Sequence, residues 1–454
     1  MKRVILITGG QRSGKSRLAC RIASMFSDDV TFIATAEARD DEMRARIEEH
    51  RKNRPPEWKT VEEPLRPAGA LERCATDVAI VDCLTLWLSN VVHGNPGSPP
   101  ENVEKKVMRE LRGALNAAAR KNMTLIAVTN EIGMGVIPSS PSVRRFVELQ
   151  GTLNQAAAEA ADVAIGMMSG QPVILKGKSI RGRVMAPCLA PFRIGATSFV
   201  HPADVETNAR LLAGRVEDVE MVVFESAEIS AYPTEEEVDR LCVRASREGF
   251  TWTVHFPLNA GIAHPDREKR EKAAAEWKGL FRRVRPLLPL ACVAHVPLET
   301  EDETAEGWKT LDEAALKRWQ GRAAEQLERL KGEGVETEIF CFENLDYPME
   351  YLEPVMEAAG GGLCLDAGHV AAWGKEDLLA AAERYFDRIR AVHLHRHDGK
   401  WDHRALSDPL DDEHRRLVQF LMRNDFSGVV TLEVFSEDDL ARSLSAMKNF
   451  LLLR

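Results

Sequence analysis

Two α/β domains are predicted for this chain: an N-terminal P-loop (RecA-like), mostly parallel sheet domain, then a (β/α)8 TIM barrel. Three observations carry that expectation. At 454 residues the chain exceeds what one ordinary core serves, so two domains of roughly 150 to 270 residues are expected. Apolar strand-like runs alternate with amphipathic helical stretches along most of the length, as in parallel sheets covered by helices. The segment KGKSIRGRVMAPCLAPFRIG, 176–195, interrupts the alternation: it is basic, then proline-bearing, and has no period. The expected boundaries are therefore 1–178 for the first domain, 179–190 for a linker and 191–454 for the barrel.

The first domain opens with MKRVILITGG, whose apolar run stops after about five residues and leads into glycines. That length suits a buried first strand and not a secretory signal. VTFIAT, DVAIVD, TLIAVT, VAIGMM and PVILK continue the strand series. Between the first strand and the helical stretch RLACRIASMF stands GGQRSGKS, a G-x-x-x-x-G-K-S phosphate loop in its full strand–loop–helix context. Amides of Gly9, Gly10, Gln11, Arg12, Ser13 and Gly14 would cradle phosphates. Lys15 would add a point charge and Ser16 a magnesium ligand. Asp82 ends the run DVAIVD, where a carboxylate would bind magnesium through its water shell. DDEM starts an amphipathic helix carrying His50 among Glu48, Glu49, Arg51 and Arg54. By residue type alone such a histidine reads as surface. VTNEIGMGVIP, 128–138, is a strand followed by a glycine-rich loop.

The barrel is read from FRIGATS, DVEMVVFE, WTVHF, ACVAHV, ETEIFCFEN, GLCLD, RAVHLH and VVTLEV, separated by helices such as 269–286 and 311–332. Strand ends of such a barrel converge on one mouth. The polar residues at those ends are Glu225, His255, His295, Glu343, Asp366 with His369, His393 and Glu433. Packing does not explain apolar strands that each terminate in His, Glu or Asp. Imidazole with carboxylate and no cysteine suits a divalent transition metal (Zn, Mn, Co or Fe), two or three ions in all. After the seventh strand comes HLHRHDGKWDH, 393–403. From it His403 is expected to join the ligands, with Asp402 the weaker candidate, while His395 and His397 are expected to support the ligands or face substrate.

Charge divides the chain. Up to Ala190 there are 27 Lys+Arg against 21 Asp+Glu; from Pro191 there are 33 against 49. The acidic second part repels polyanions, so nucleic acid is not an expected partner. No apolar run approaches the roughly 20 residues of a membrane span. Eight cysteines stand singly without a C-x-x-C pair, which fits reduced thiols and a cytoplasmic setting.

Residues 1–176 resemble the bifunctional adenosylcobinamide kinase/adenosylcobinamide-phosphate guanylyltransferases. GGQRSGKS, IAT, DDEM-x-x-RI-x-x-H-x-x-x-RP-x-x-W, VDCLTLW-x-x-N, VTNE-x-GMG-x-x-P and RRF-x-x-L-x-G-x-LNQ stand in that family's order. The resemblance reverses the surface reading of His50: it implies a nucleophile that takes GMP from GTP and passes it to cobinamide phosphate. A neutral imidazole is suited to that, since its phosphoramidate is labile. Arg51 or Arg54 would stabilise the developing charge, and Glu62 would join the nucleotide contacts. The resemblance further implies GTP or ATP with Mg2+, corrinoid substrates (adenosylcobinamide and its phosphate) and a homo-oligomer, for which the family suggests a trimer.

Residues 191–454 resemble the apurinic-endonuclease/xylose-isomerase-like barrels through D-A-G-H, E-N and HLH-x-x-DGK followed by DH-x-x-L. Asp402 and His403 are adjacent where the endonucleases have a residue between, and SDP replaces the usual glycine after the leucine. The opening FRIGATSFVHPADVETNARLLAGRVEDVEMVVFES is similar to the cobamide-remodelling (CbiR-like) hydrolases. That likeness implies removal of the lower-ligand nucleotide loop from cobamides, leaving the compound that the first domain consumes. The alternatives are a sugar-isomerase-like barrel of unrelated substrate and a non-catalytic corrinoid-binding barrel.

Overall fold

The computed structural model describes residues 3–38, 40–52, 54–177, 190–224, 231–258, 261–298, 308–373, 375–399 and 401–453. The chain divides near residue 180 into two compact units.

The first unit is a seven-stranded sheet built from β1 (Arg3–Gly9), β2 (Val30–Ala34), β3 (Lys59–Glu62), β4 (Val78–Asp82), β5 (Thr124–Val128), β6 (Val163–Met168) and β7 (Gln171–Lys176), in the order β3-β2-β4-β5-β1-β6-β7. All neighbours are parallel except β6 and β7. Those two are joined by Ser169 and Gly170, both at positive φ (51° and 80°), as a two-residue hairpin with the strands' twist requires. The central strands are buried along their lengths because helices cover both faces, which is why they read as unbroken apolar runs. Trp87, Leu88, Leu111, Leu153 and Ala118 pack with Val4, Leu6 and Val81 in one core.

The second unit is a closed eight-stranded parallel barrel, as expected. Its strands are β8 (Arg193–Thr197), β9 (Asp218–Val222), β10 (Thr251–His255), β11 (Cys292–Ala294), β12 (Phe340–Glu343), β13 (Gly362–Asp366), β14 (Ile389–His393) and β15 (Val429–Leu432). Seven of the outer helices start at side-chain caps: Asp204, Thr234, Asp266, Asp312, Asp377, Asp411 and Ser436 each accept the first-turn amide three residues on. Small side chains (Ala291, Val293, Cys341, Cys364, Ala391) fill one interior layer. Outside it, Phe340 stacks on Trp277 and meets Phe256 edge-on, fixing strands to helix. No described helix is long and apolar enough to cross a membrane.

Candidate active sites

In the first unit the register places one row of residues at the carboxyl edge of the sheet. Glu62 pairs with Ala34, Ala34 with Asp82, Asp82 with Val128 and Val128 with Ile7. The phosphate loop begins two residues beyond Ile7. Gly9 has φ 143°, and a Cβ there would meet the Met167 carbonyl oxygen at 2.4 Å, so only glycine fits. Gly14 (φ 96°) opens the helix Lys15–Phe26 with no side-chain cap, leaving the first-turn amides directed at the loop. Lys15 folds back to donate to the Gly10 carbonyl at 2.6 Å. Ser16 is half-buried beside it, and Gln11 and Arg12 are exposed.

The other motif residues hold this edge together. Thr35 bonds both ways with the Cys83 backbone (2.7 and 2.8 Å), and Asn90 donates to the Thr35 carbonyl at 2.8 Å. Glu131 accepts from Thr8 (2.7 Å) and Asn154 (3.0 Å), tying β1, the loop after β5 and the helix Pro141–Ala160 under the phosphate loop. His50 lies in the last turn of the helix Asp41–Lys52, between β2 and β3; its side chain falls outside the description. Arg51 is exposed. Arg54 stacks on Phe32, 3.5 Å from the ring centroid, in surroundings shared with Asp82 and Glu62.

In the barrel the expected ligands converge. Glu343 ends β12 and is the hub: its Oε2 lies 3.0 Å from His295 Nε2, 3.2 Å from His255 Nε2 and 3.4 Å from His393 Nδ1, and its Oε1 3.1 Å from His369 Nδ1. His393 Nδ1 is also 3.1 Å from Glu433 and 3.6 Å from Asp366. His403 Nε2 stands 3.5 Å from Glu433. Asp402 is 3.7 Å from His369 Nε2, so the structure brings it to the cluster too. Glu225 lies outside the described residues. His397 is half-buried and takes the Gly399 amide, away from the cluster.

His395 takes one of its two expected places, beside the ligand carboxylates. It is fully buried, with Nε2 3.0 Å from Asp366 and Nδ1 3.0 Å from Asp402. The room for its ring comes from Gly368 of D-A-G-H: a Cβ at that position would stand 2.0 Å from the His395 Cε1. Asn344 of E-N also gains an explanation, since its amide bonds both backbone groups of Asp366 (2.7 and 3.1 Å) and sutures β12 to β13. Sequence reasoning missed Glu220, in mid-β9, whose carboxylate meets His393 Nε2 at 3.1 Å.

The donors fit a divalent transition metal. Three groups have ligand atoms within 4.8 Å of one another: His255–Glu343–His393, Glu343–Asp366–His393–Glu433 and His395–His403–Glu433. His393 Nδ1 and Glu433 Oε2 are buried and face each other, yet neither makes a hydrogen bond of acceptable direction. Backbone carbonyls take Nδ1 of His255 (Phe256, 2.9 Å) and of His369 (Asn344, 3.0 Å), which leaves each Nε2 as the nitrogen that could bind an ion in exchange for its proton. Burial pushes the Cys364 thiol well up, so it stays protonated and outside the donor set.

Imidazoles and carboxylates balance one another's charge in the cluster. Burial opposes charge on His369, His393 and His395, but the surrounding carboxylates outweigh it. They raise the first two well above the ordinary imidazole range and His395 to about 10. Burial likewise opposes charge on Glu343 and Glu433, and the histidines hold both well below the carboxylate range. A raised imidazole stabilises the metal-free fold fully below about pH 6.5 and loses that contribution as pH rises through its folded value. Ions must displace these protons. Apparent affinity is therefore expected to rise with pH up to about 10, where His395 loses its proton, by up to about tenfold per unit for each proton released. Calorimetry of zinc binding in buffers of different ionisation enthalpy measures that number; no proton release would mean the histidines are neutral.

Residues 5–175 match the family described as cobinamide kinase / cobinamide phosphate guanyltransferase, and residues 215–450 the family described as xylose isomerase-like TIM barrel. The chain is similar to the bifunctional adenosylcobalamin biosynthesis protein CobP of Pseudomonas aeruginosa, 42% identical over 177 residues, which are 38% of this chain and 98% of the relative. It is 36% identical over 181 residues to CobU of Escherichia coli, covering 38% and 99%. Among solved structures it is similar to a D-tagatose 3-epimerase-like protein (17% identity, TM-score 0.47, 57% of this chain and 97% of that one). Endonuclease IV of Thermus thermophilus is similar at 17% identity and TM-score 0.43, over 57% and 98%.

Proposed function

The chain belongs to the cobinamide kinase / cobinamide phosphate guanyltransferase family in its first domain and to the xylose isomerase-like TIM barrel family in its second, and from that premise we propose that it is a two-domain enzyme of cobamide salvage. The first domain transfers GMP from GTP, with Mg2+, through His50 to adenosylcobinamide phosphate. It also phosphorylates adenosylcobinamide. The barrel hydrolyses the phosphoester of the cobamide nucleotide loop and releases adenosylcobinamide phosphate. One domain then makes what the other consumes.

The observation that carries this reading is the buried imidazole–carboxylate cluster at the barrel mouth, on the same chain as the guanyltransferase fold. Glu343, Asp366, His393 and Glu433 would hold one ion and His255 and His295, with Glu343, another. His369, His395, His403 and Asp402 flank both. Divalent cations there supply Lewis acidity and lower the pKa of water. The chain's own residues then orient the phosphodiester and hold the attacking water against phosphorus. The bond to the nucleoside oxygen breaks, and that oxygen leaves with a proton. His369 and His403 are the partly open imidazoles placed to deliver it.

The test is mass spectrometry of the corrinoid products made by the full-length protein with a divalent metal. Adenosylcobalamin should yield cobinamide phosphate without GTP and its GDP derivative with GTP. Cobalamin left intact, with a sugar isomerised or abasic DNA nicked instead, refutes the barrel assignment.

A further inference from the structure

Burying a carboxylate in mid-strand, away from the mouth, is costly unless specific partners take it up. Glu220 is such a residue. It is fully buried in β9, two positions before the strand's end, with Thr197 and Thr253 beside it in register. Its Oε2 meets two groups: His393 Nε2 at 3.1 Å, and the Thr431 hydroxyl of β15, also at 3.1 Å. The opposite nitrogen of the same ring, Nδ1, points among Glu433, Glu343 and Asp366 at 3.1 to 3.6 Å. A carboxylate oxygen only accepts, so Nε2 keeps a proton toward Glu220, and Nδ1 is the nitrogen left to give a lone pair to an ion once its own proton is displaced. His255 and His369 instead bond a backbone carbonyl through Nδ1 and expose Nε2. Of these three, His393 is the one whose far nitrogen is held by a side-chain carboxylate and not by a backbone carbonyl.

We infer that Glu220 is a positioning residue, held by Thr431, that fixes His393 as an Nδ1 ligand and so sets the affinity of the ion shared by Glu343, Asp366, His393 and Glu433. The assignment rests on the metal reading of the cluster. It assigns Glu220 no contact with substrate.

The experiment uses the full-length chain, zinc as probe, and nitrogen-15-labelled histidine. In the zinc-loaded parent, the His393 ring should show a protonated Nε2 and a metal-bound Nδ1. Glu220→Leu should weaken zinc binding at this site about 10- to 100-fold in a chelator competition and lose the protected Nε2–H signal. Glu220→Gln, whose amide oxygen still accepts that proton, should keep the Nδ1-bound pattern and stay within about tenfold of the parent. If the leucine protein does not fold, the tautomer of the His393 ring in the zinc-loaded parent decides. Parental zinc affinity in folded Glu220→Leu would overturn the inference, and so would a parent ring bound through Nε2. A parent chain that binds no zinc at all overturns the metal reading itself, which separates the two failures.

Discussion

Replacing His50 by alanine is expected to abolish GMP transfer to cobinamide phosphate, a loss on the order of 10³-fold or more, while release of cobinamide phosphate from cobamides continues. The reason for so large an effect is covalent. If the imidazole accepts GMP from the α-phosphate of GTP and hands it on, no neighbouring group replaces it: the helix Asp41–Lys52 otherwise offers carboxylates, arginines and a lysine. The helix connects β2 to β3, whose carboxyl ends share an edge with the phosphate loop and Asp82. Incubation with labelled GTP should give an acid-labile protein adduct in the parent and none in His50→Ala. An adduct that survives the substitution would place the nucleophile elsewhere. Because the corrinoid cleavage is assigned to a separate unit, its rate serves as the internal control for folding.

The second large effect is expected at Glu343. Its two oxygens meet four histidines, from the ends of three other strands and from a helix. Glu343→Ala removes a donor common to two candidate ion groups, so it should lower bound metal by at least one ion per chain. Barrel activity should fall on the order of 10³-fold. Elemental analysis after gel filtration counts the ions, and guanylyl transfer should be unchanged in the same preparation. An unaltered metal content would show that the ions sit elsewhere. Glu343→Gln is the conservative companion: it keeps volume and one acceptor but not the charge that, after that of Asp366, favours a protonated His369.

Much of this is legible in the sequence, and the exceptions have physical causes. The eight barrel strands read directly because each is an apolar run, and seven of them lead into a ligand-type residue. β3 escapes such a reading, since KTVE has one apolar residue and lies exposed at the sheet edge. The reversal of β7 has a visible signal in Ser169-Gly170, a two-residue turn between two apolar runs. Glu220 carries a weaker one, a lone acid inside the otherwise apolar run E-M-V-V. What it does depends on which face of β9 meets β14 and β15 across the closed barrel, which no local pattern encodes. His395 escapes for a similar reason. The H-x-H spacing puts it near His393, but its burial depends on a distant glycine.

That glycine ties the histories of two segments together. Gly368 and His395 occupy volume that only one of them can claim, although 27 positions separate them. A side chain added at 368 becomes tolerable only in a lineage that has first lost the ring at 395. A ring newly gained at 395, in turn, needs the bare backbone already in place. Selection for suppressors of Gly368→Ala should therefore return smaller residues at 395. Neither segment is free to drift alone.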